Sequence, residues 1–430
     1  MSKIIKNYLA VGVLMLGASV TAANAEPLPE LIPDLLNNHD LFRAAEADAN
    51  AASESIETAM GGYYPTLDMT GTYGNEQQLK PDAADTSLVS REMDFIVTQR
   101  IWDFGVTKAS VDTAKLEHEK TLAALTTQRS ILLQNAFVAY VNILRGSKIL
   151  EFAIQSEENI KEQTELEDSK VKSGAGLTTD VLQAKRELAG AMARRVKAEG
   201  DLEIAKNVYR GVFLKDIGSI KDMVSPVVMQ ETLPVNVEDA IARSMKSSPR
   251  LISSNLDSLV SRETVKSTYA TSYRPTIDGI FDYKLKKDVG STIGTQDEMF
   301  AKVQVNFPFN LGMTATNTLK ATELAENAAT YRYASAINQV EEFTRTAWQR
   351  LKTARDRTQL LKNQADIAAE FLELARKEQQ LGNRSLLDVL SGETALINAQ
   401  SDAVSSETDV SIAAIALLDI MGELDENAFK

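Results

Sequence analysis

"GNRSLLDVLSGETALINAQ", residues 382–400, has a near-echo in "GAGLTTDVLQAKRELAGAM", residues 174–192, about half a chain upstream. Asp388-Val389-Leu390 repeats Asp180-Val181-Leu182, and a patterned segment follows each copy. Behind the first, one column at seven-residue spacing reads Val181, Leu188, Arg195, Leu202, Tyr209. Three residues on, a second column reads Ala184, Ala191, Ala198, Ala205, Val212. The later copy has Val389, Leu396, Ala403, Val410, Leu417 beside Gly392, Ala399, Ser406, Ala413, Ile420. A column of large residues beside a column of small ones is a heptad seam whose small side lets backbones approach closely. A lone amphipathic helix drifts about 20° per heptad from a strict seven, so columns held this long predict coiled packing. Arg195 interrupts the first seam.

Proline placement extends the pattern. The ten prolines stand at 27, 29, 33, 65, 81, 226, 234, 249, 275 and 308. None falls between Pro81 and Pro226, and none follows Pro308. Both proline-free tracts are rich in Ala, Leu, Glu, Lys and Gln, the good helix formers. Val106 to Ser173 alone offers roughly 70 residues, about 100 Å as one helix. Globular helices are far shorter, so the length predicts a coiled-coil or tube-like arrangement.

Four candidate strands lie between the helical tracts, again in two copies. "YYPTLDMTGTYG" sets Leu67, Met69, Gly71 and Tyr73 against Thr66, Asp68, Thr70 and Thr72. "YRPTIDGIFDY" sets Ile277, Gly279, Phe281 and Tyr283 against Thr276, Asp278, Ile280 and Asp282. "EMDFIVTQRIW" puts Met93, Phe95 and Val97 on one face, and "AKVQVNFPF" turns Ala301, Val303, Val305 and Phe307 away from Lys302, Gln304 and Asn306. Period-two alternation with aromatics near strand ends fits a membrane barrel wall, and equally a soluble sheet with one wet face. Residues 75–91 and 284–297 read as polar loops joining each pair.

Each half therefore runs helix, strand, loop, strand, long helix, reversing turn, helix, which predicts a duplication. The expected division is a first repeat over 26–227 and a second over 228–430. Two strands per half are too few to close a barrel, which needs about eight. Open strands in lipid would expose unpaired backbone groups. The chain must oligomerise or stay out of the membrane.

Composition narrows the function. Residues 1–25 carry Lys3 and Lys6, an apolar run and Ala23-Asn24-Ala25, the layout of a secretory signal peptide cut after Ala25. No cysteine occurs, which excludes disulfides, thiol chemistry and Cys-based zinc sites. His39 and His118 are far apart and read as surface residues rather than metal ligands. A net charge of −14 argues against a nucleic-acid partner. No segment beyond the signal matches the roughly 20 apolar residues of a spanning helix.

With these motifs in place the mature chain resembles the TolC-like outer-membrane export ducts of Gram-negative bacteria over essentially its whole length. The resemblance rests on the signal peptide, the two-fold repeat and the pair "YPTLD" and "RPTID" opening the strands. It rests also on the strand-to-helix turns "RIWDFG" (100–105) and "FPFNLG" (307–312), and most specifically on the glycine loop running into Asp-Val-Leu in both halves. In the family a proline usually opens that turn; here Arg100 and Phe307 stand there.

The resemblance implies an α+β fold, mostly long α-helices. In it a homotrimer closes a 12-stranded outer-membrane β-barrel, four strands per chain, continued by a periplasmic coiled-coil α-helical barrel. It implies a passive duct without cofactor, seated in outer-membrane lipid. That duct would dock on a periplasmic adaptor (membrane fusion) protein and an inner-membrane ABC transporter or proton-driven pump. By position, Asp388 falls on an aspartate of the family's periplasmic aperture ring, and Ser391 on a second ring position that carries aspartate in the family. Arg384 falls on a bridging arginine, Thr179 and Asp180 on the residues it links to in a neighbouring coil, and Gln379 on a bridging tyrosine. Apart from the resemblance, Ser385 and Asp388 also read as a capping box. The first copy has Leu177 where Ser385 stands yet keeps Asp180, so capping alone does not account for both aspartates.

Type I protein secretion is the expected service, because residues 177–213 look most like members working there. A multidrug efflux outlet is the alternative. A periplasmic coiled-coil structural or adaptor protein is a further one, and an enzyme is the weakest, since no triad, P-loop, dinucleotide fingerprint or HExxH occurs.

Overall fold

A computed structural model of the chain describes residues 27–81, 84–226 and 232–429. The expected signal peptide, and the expected boundary between 227 and 228, lie outside the described residues. Two short helices, α1 (Leu28–Asn38) and α2 (Asp40–Met60), lead into strands β1 (Thr66–Gln78) and β2 (Thr86–Trp102). Helices α3 (Val106–Lys172) and α4 (Thr178–Phe213) follow as a hairpin. The order then recurs as α5 (Val237–Ser247), α6 (Pro249–Tyr273), β3 (Thr276–Lys287), β4 (Thr295–Asn306), α7 (Thr314–Gln380) and α8 (Leu386–Met421). Helices α3 and α7 have 67 residues each, and α4 and α8 have 36 each. At about 1.5 Å per residue the long pair spans about 100 Å.

The seam columns face inward. Val181, Ala184, Ala191, Ala198, Leu202 and Tyr209 are buried on α4, as are Val389, Gly392, Ala399, Ala403, Ser406 and Leu417 on α8. A Cβ added to Gly392 would meet Leu372 at 3.2 Å and Phe371 at 3.3 Å, so the small column sets how near α8 lies to α7. Arg195 is explained by its partners. Its Nε donates to Glu157 Oε2 on α3 at 2.6 Å, and it also binds Glu199, so the seam's large column admits a charge that is paired on arrival. The main core lies mid-length, where α1 inserts Leu28, Leu31, Ile32 and Leu35 beside Phe137, Tyr140 and Ile143 of α3 and Ile415 and Leu418 of α8.

The strands form one antiparallel sheet in the order β1-β2-β3-β4. Register places Leu67, Val97, Phe281 and Ala301 in one row and Met69, Phe95, Tyr283 and Met299 in another, so the apolar sets of all four strands share a face. The opposite face is charged: Lys284 pairs with Asp94 at 3.2 Å and Asp282 at 3.7 Å, and Lys286 with Glu298 at 2.7 Å and Glu92 at 3.8 Å. Leu88, Ile96, Ile280 and Phe300 are the large apolar side chains interrupting it. Tyr63, Tyr64, Trp102, Phe307 and Phe309 stand exposed where the sheet meets the helices.

One expectation about the sheet needs correction. Within the expected loops 75–91 and 284–297, residues 75–78, 86–91, 284–287 and 295–297 are strand. Polar residues continue the ladder there because the charged face needs no apolar partner: Glu92, Lys286 and Gln296 are paired across three strands. At the first strand-to-helix turn, where the resembled family usually carries proline, a side-chain contact holds the chain. Arg100 donates its Nε to Asp278 Oδ1 at 2.5 Å beside a β-bulge between Arg100 and Trp102.

Both turns also share a cap that the sequence reading missed. Asp103 accepts from Thr107 N at 2.7 Å and Gly105 N at 3.0 Å. Asn310 accepts from Gly312 N at 3.2 Å and Thr314 N at 3.3 Å. "DFGVT" and "NLGMT" carry the signal, Asp or Asn followed by Gly and then Thr. Gly105, at φ +100°, adopts the left-handed conformation that the tight turn demands.

Candidate functional site at the hairpin tips

The far ends of the two hairpins are built alike. Helix α3 closes with Ala175 N donating to Lys170 O at 2.9 Å, and α7 with Asn383 N donating to Glu378 O at 2.9 Å. Gly174 and Gly382 supply the left-handed residue at φ +80° and +81°. The next helix then starts differently in the two copies. Ser385 Oγ accepts from Asp388 N at 3.3 Å, whereas Leu177 offers no side-chain cap to α4. Asp180 and Asp388 both stand in a first turn, where a carboxylate opposes the helix dipole.

Between the tips lies a cavity of about 530 Å³ lined by Glu167, Asp180 and Gln183 from one hairpin and Gln379, Arg384 and Ser385 from the other. Of the six residues singled out in sequence, Asp180, Gln379 and Arg384 are thus brought together. Thr179 is exposed beside the cavity, and Asp388 and Ser391 are exposed on α8 outside it. The last two are three residues apart and share a helix face.

Arg384 is held by its own hairpin. Its Nε donates to Glu378 Oε2 at 2.7 Å and its guanidinium lies 5.2 Å from the centre of the Phe371 ring. Among the described residues neither the Asp180 carboxylate nor the Gln379 amide has a side-chain partner within the chain. Both are left to meet groups outside it.

Behind the cavity sits a polar clamp that sequence reasoning did not find. Glu393 is only 2% exposed, beside Gly392 of the small column. It binds Arg376 of α7 and accepts from Asn159 Nδ2 of α3 at 3.3 Å, joining three helices. Its adjacency to a seam position was the available signal, since a Glu next to a buried glycine must bring a partner inside. Glu167, also buried, takes Lys170 Nζ at 2.6 Å. No cluster of metal-ligating side chains is present among the described residues, and His39 and His118 serve the backbone, at Leu41 N and Ala49 O. No described helix is long and apolar enough to cross a membrane.

The model of a family described as "Outer membrane efflux protein" matches residues 31–208 and 241–423. The chain is 25% identical over 430 residues to "Outer membrane efflux protein BepC" of Brucella suis, with 98% of this chain and 91% of that relative covered. It is 23% identical over 419 residues to "Outer membrane protein TolC" of Vibrio cholerae, covering 96% and 94%. Its fold superposes on the outer-membrane channel OprN with a TM-score of 0.81 at 17% identity, covering 92% and 90% of the two chains.

Proposed function

This chain belongs to the outer membrane efflux protein family, and from that premise we propose that it is the exit duct of a type I protein secretion system. It is a non-enzymatic channel protein of the Gram-negative outer membrane, reaching into the periplasm, which removes the periplasmic structural protein and the enzyme from consideration. The finer reading is a homotrimer docked on a periplasmic adaptor and an inner-membrane ABC transporter, passing a large protein outward.

One observation carries the duct: a four-stranded sheet with one apolar and one ion-paired face, both edges β1 and β4 unpaired, joined to helices about 100 Å long. Such a sheet is stable in lipid only when further copies close it, and three copies give a barrel with a wet lumen. Equal helix lengths support the proposed duplication over 26–227 and 228–430. At the tips Asp388 forms the aperture ring with Ser391 behind it, and Arg384, Gln379, Thr179 and Asp180 form the lock between neighbouring coils. The vacant side chains of Asp180 and Gln379 support this, because a symmetric neighbour supplies the missing partners.

Residues 177–213 favour type I secretion by resemblance, while the relative BepC is named an efflux protein, so a multidrug outlet is the second reading. Deleting the gene separates them. Loss of one or a few large secreted proteins with drug tolerance intact supports secretion; broad drug hypersensitivity with an unchanged secretome supports efflux and removes the secretion reading.

A further inference from the structure

The apolar face of the sheet ends in a row unlike the rest. Ile277 to Leu285 marks the apolar extent of β3, about 27 Å along the strand and about 20 Å in height once tilted, close to the roughly 25 Å band of an outer-membrane barrel. The next row away from the helices is Tyr73, Arg91, Lys287 and Thr295, directly opposite one another on the four strands. Because the helices leave from the other end, this row stands at the outer edge of the band.

Arg91 and Lys287 are like charges side by side on neighbouring strands, an arrangement that costs stability unless an anion joins them. Among the described residues neither forms an ion pair, and Arg91's one aromatic contact is Tyr73, whose ring centre lies 5.5 Å away. On the other face every lysine of the same stretch is paired: Lys284 with Asp94, and Lys286 with Glu298. The acids nearby are otherwise placed. Asp297 stands opposite Leu285 at the last row of the band, on the same face and diagonal to Lys287, without forming an ion pair with it, and Asp85 and Asp288 accept from the backbone of their own turns. Below the cations Gly71 leaves a dent, and the resulting hollow of about 460 Å³ is lined by Gly71, Tyr73, Arg91, Met93, Leu285 and Lys287.

We propose that this hollow seats a phosphorylated glycolipid of the outer leaflet, its phosphate between Arg91 and Lys287 and an acyl chain over Gly71, Met93 and Leu285. A guanidinium accepts a phosphate through paired N–H donors and lysine adds a point charge. Tyr73 supplies the amphipathic ring that suits the interface. This inference rests on the barrel reading, since only lipid on that face gives the row its occupant.

The test uses the full chain purified in detergent from outer membranes, wild type and Arg91→Gln/Lys287→Gln, incubated with bis-phosphorylated lipid A, dephosphorylated lipid A or inorganic phosphate. Native mass spectrometry reads retained lipid, and planar-bilayer conductance of the same samples reads the channel. The expected result is retention of phosphorylated lipid A by wild type and at least about tenfold less by the double variant. Dephosphorylated lipid A should be retained weakly by both, and millimolar phosphate should not displace the lipid. Conductance should be equal. Equal retention by the two proteins, equal retention of the two lipids, or displacement by free phosphate overturns the lipid site while leaving the barrel intact. Absence of conductance from both proteins, and from Arg384→Ser prepared alongside them, overturns the barrel reading and the site with it.

Discussion

Arg384 donates its Nε to Glu378 Oε2 at 2.7 Å, six residues back in the same hairpin, while Asp180 across the cavity holds no cation. The guanidinium therefore has a resting partner inside its own chain. An exposed pair of this kind is worth under about 1 kcal/mol, small enough to be exchanged for a neighbouring coil's Asp180. Arg384→Ser removes both options and is expected to loosen the closed tip, raising single-channel conductance. Glu378→Gln frees Arg384 for Asp180 and should leave conductance at or below wild type. Equal rises in the two variants would show that Glu378, rather than a neighbouring coil, is what Arg384 is for.

Asp388 and Ser391 set the charge of the proposed aperture. Asp388→Ala should abolish block by divalent or trivalent cations and reduce cation selectivity. Ser391→Asp adds a second like-charged ring and should strengthen block. Unaltered current traces from both would remove these residues from the pore.

The Glu393 clamp is a matter of stability. Glu393→Ala strands the Arg376 guanidinium, whose Nε already lacks a partner. A fully buried pair broken this way costs about 3–5 kcal/mol; because Arg376 is partly exposed, about 2 kcal/mol is expected here. Chemical denaturation followed by helical circular dichroism checks this, and the apolar pair Arg376→Met/Glu393→Leu should recover most of the loss.

Asp103 gives a pH dependence. Burial works to raise its pKa, but hydrogen bonds from Thr107 and Gly105, with Arg100 nearby, outweigh it and hold it below the ordinary 3.8. A carboxylate whose folded pKa is depressed stabilises the fold fully above its unfolded value and loses that contribution as pH falls through the folded one. Asp103→Ala should cost about 1 kcal/mol at neutral pH. The difference between wild type and Asp103→Asn should shrink as the pH is taken below 3.8.

The long helices were legible because prolines and heptad columns are global signals. Val106 to Lys172 contains no proline, and the alanines at 184, 191 and 198 mark the close-packed side. The two faces of the sheet were legible from alternation at Leu67, Met69, Phe281 and Tyr283. Strand ends were not, since Lys286 and Gln296 look like loop residues until the charges across from them are known. Arg195 and Glu393 were opaque for the same reason: a charge inside a seam is explained by Glu157 and Arg376, which lie on other helices. At the tips the resemblance singled out six residues, of which Asp180, Gln379 and Arg384 line one cavity. It gave no hint that Glu378 holds the arginine, because that contact depends on how Gly382 turns the chain.

The most direct measurement of the central claim is planar-bilayer recording of the purified, detergent-solubilised protein, alongside its mass in the same detergent. The expected result is discrete single-channel steps from a particle of three chains, with conductance rising in Arg384→Ser. A monomer, or a three-chain particle that inserts yet stays silent even as Arg384→Ser, would contradict the duct.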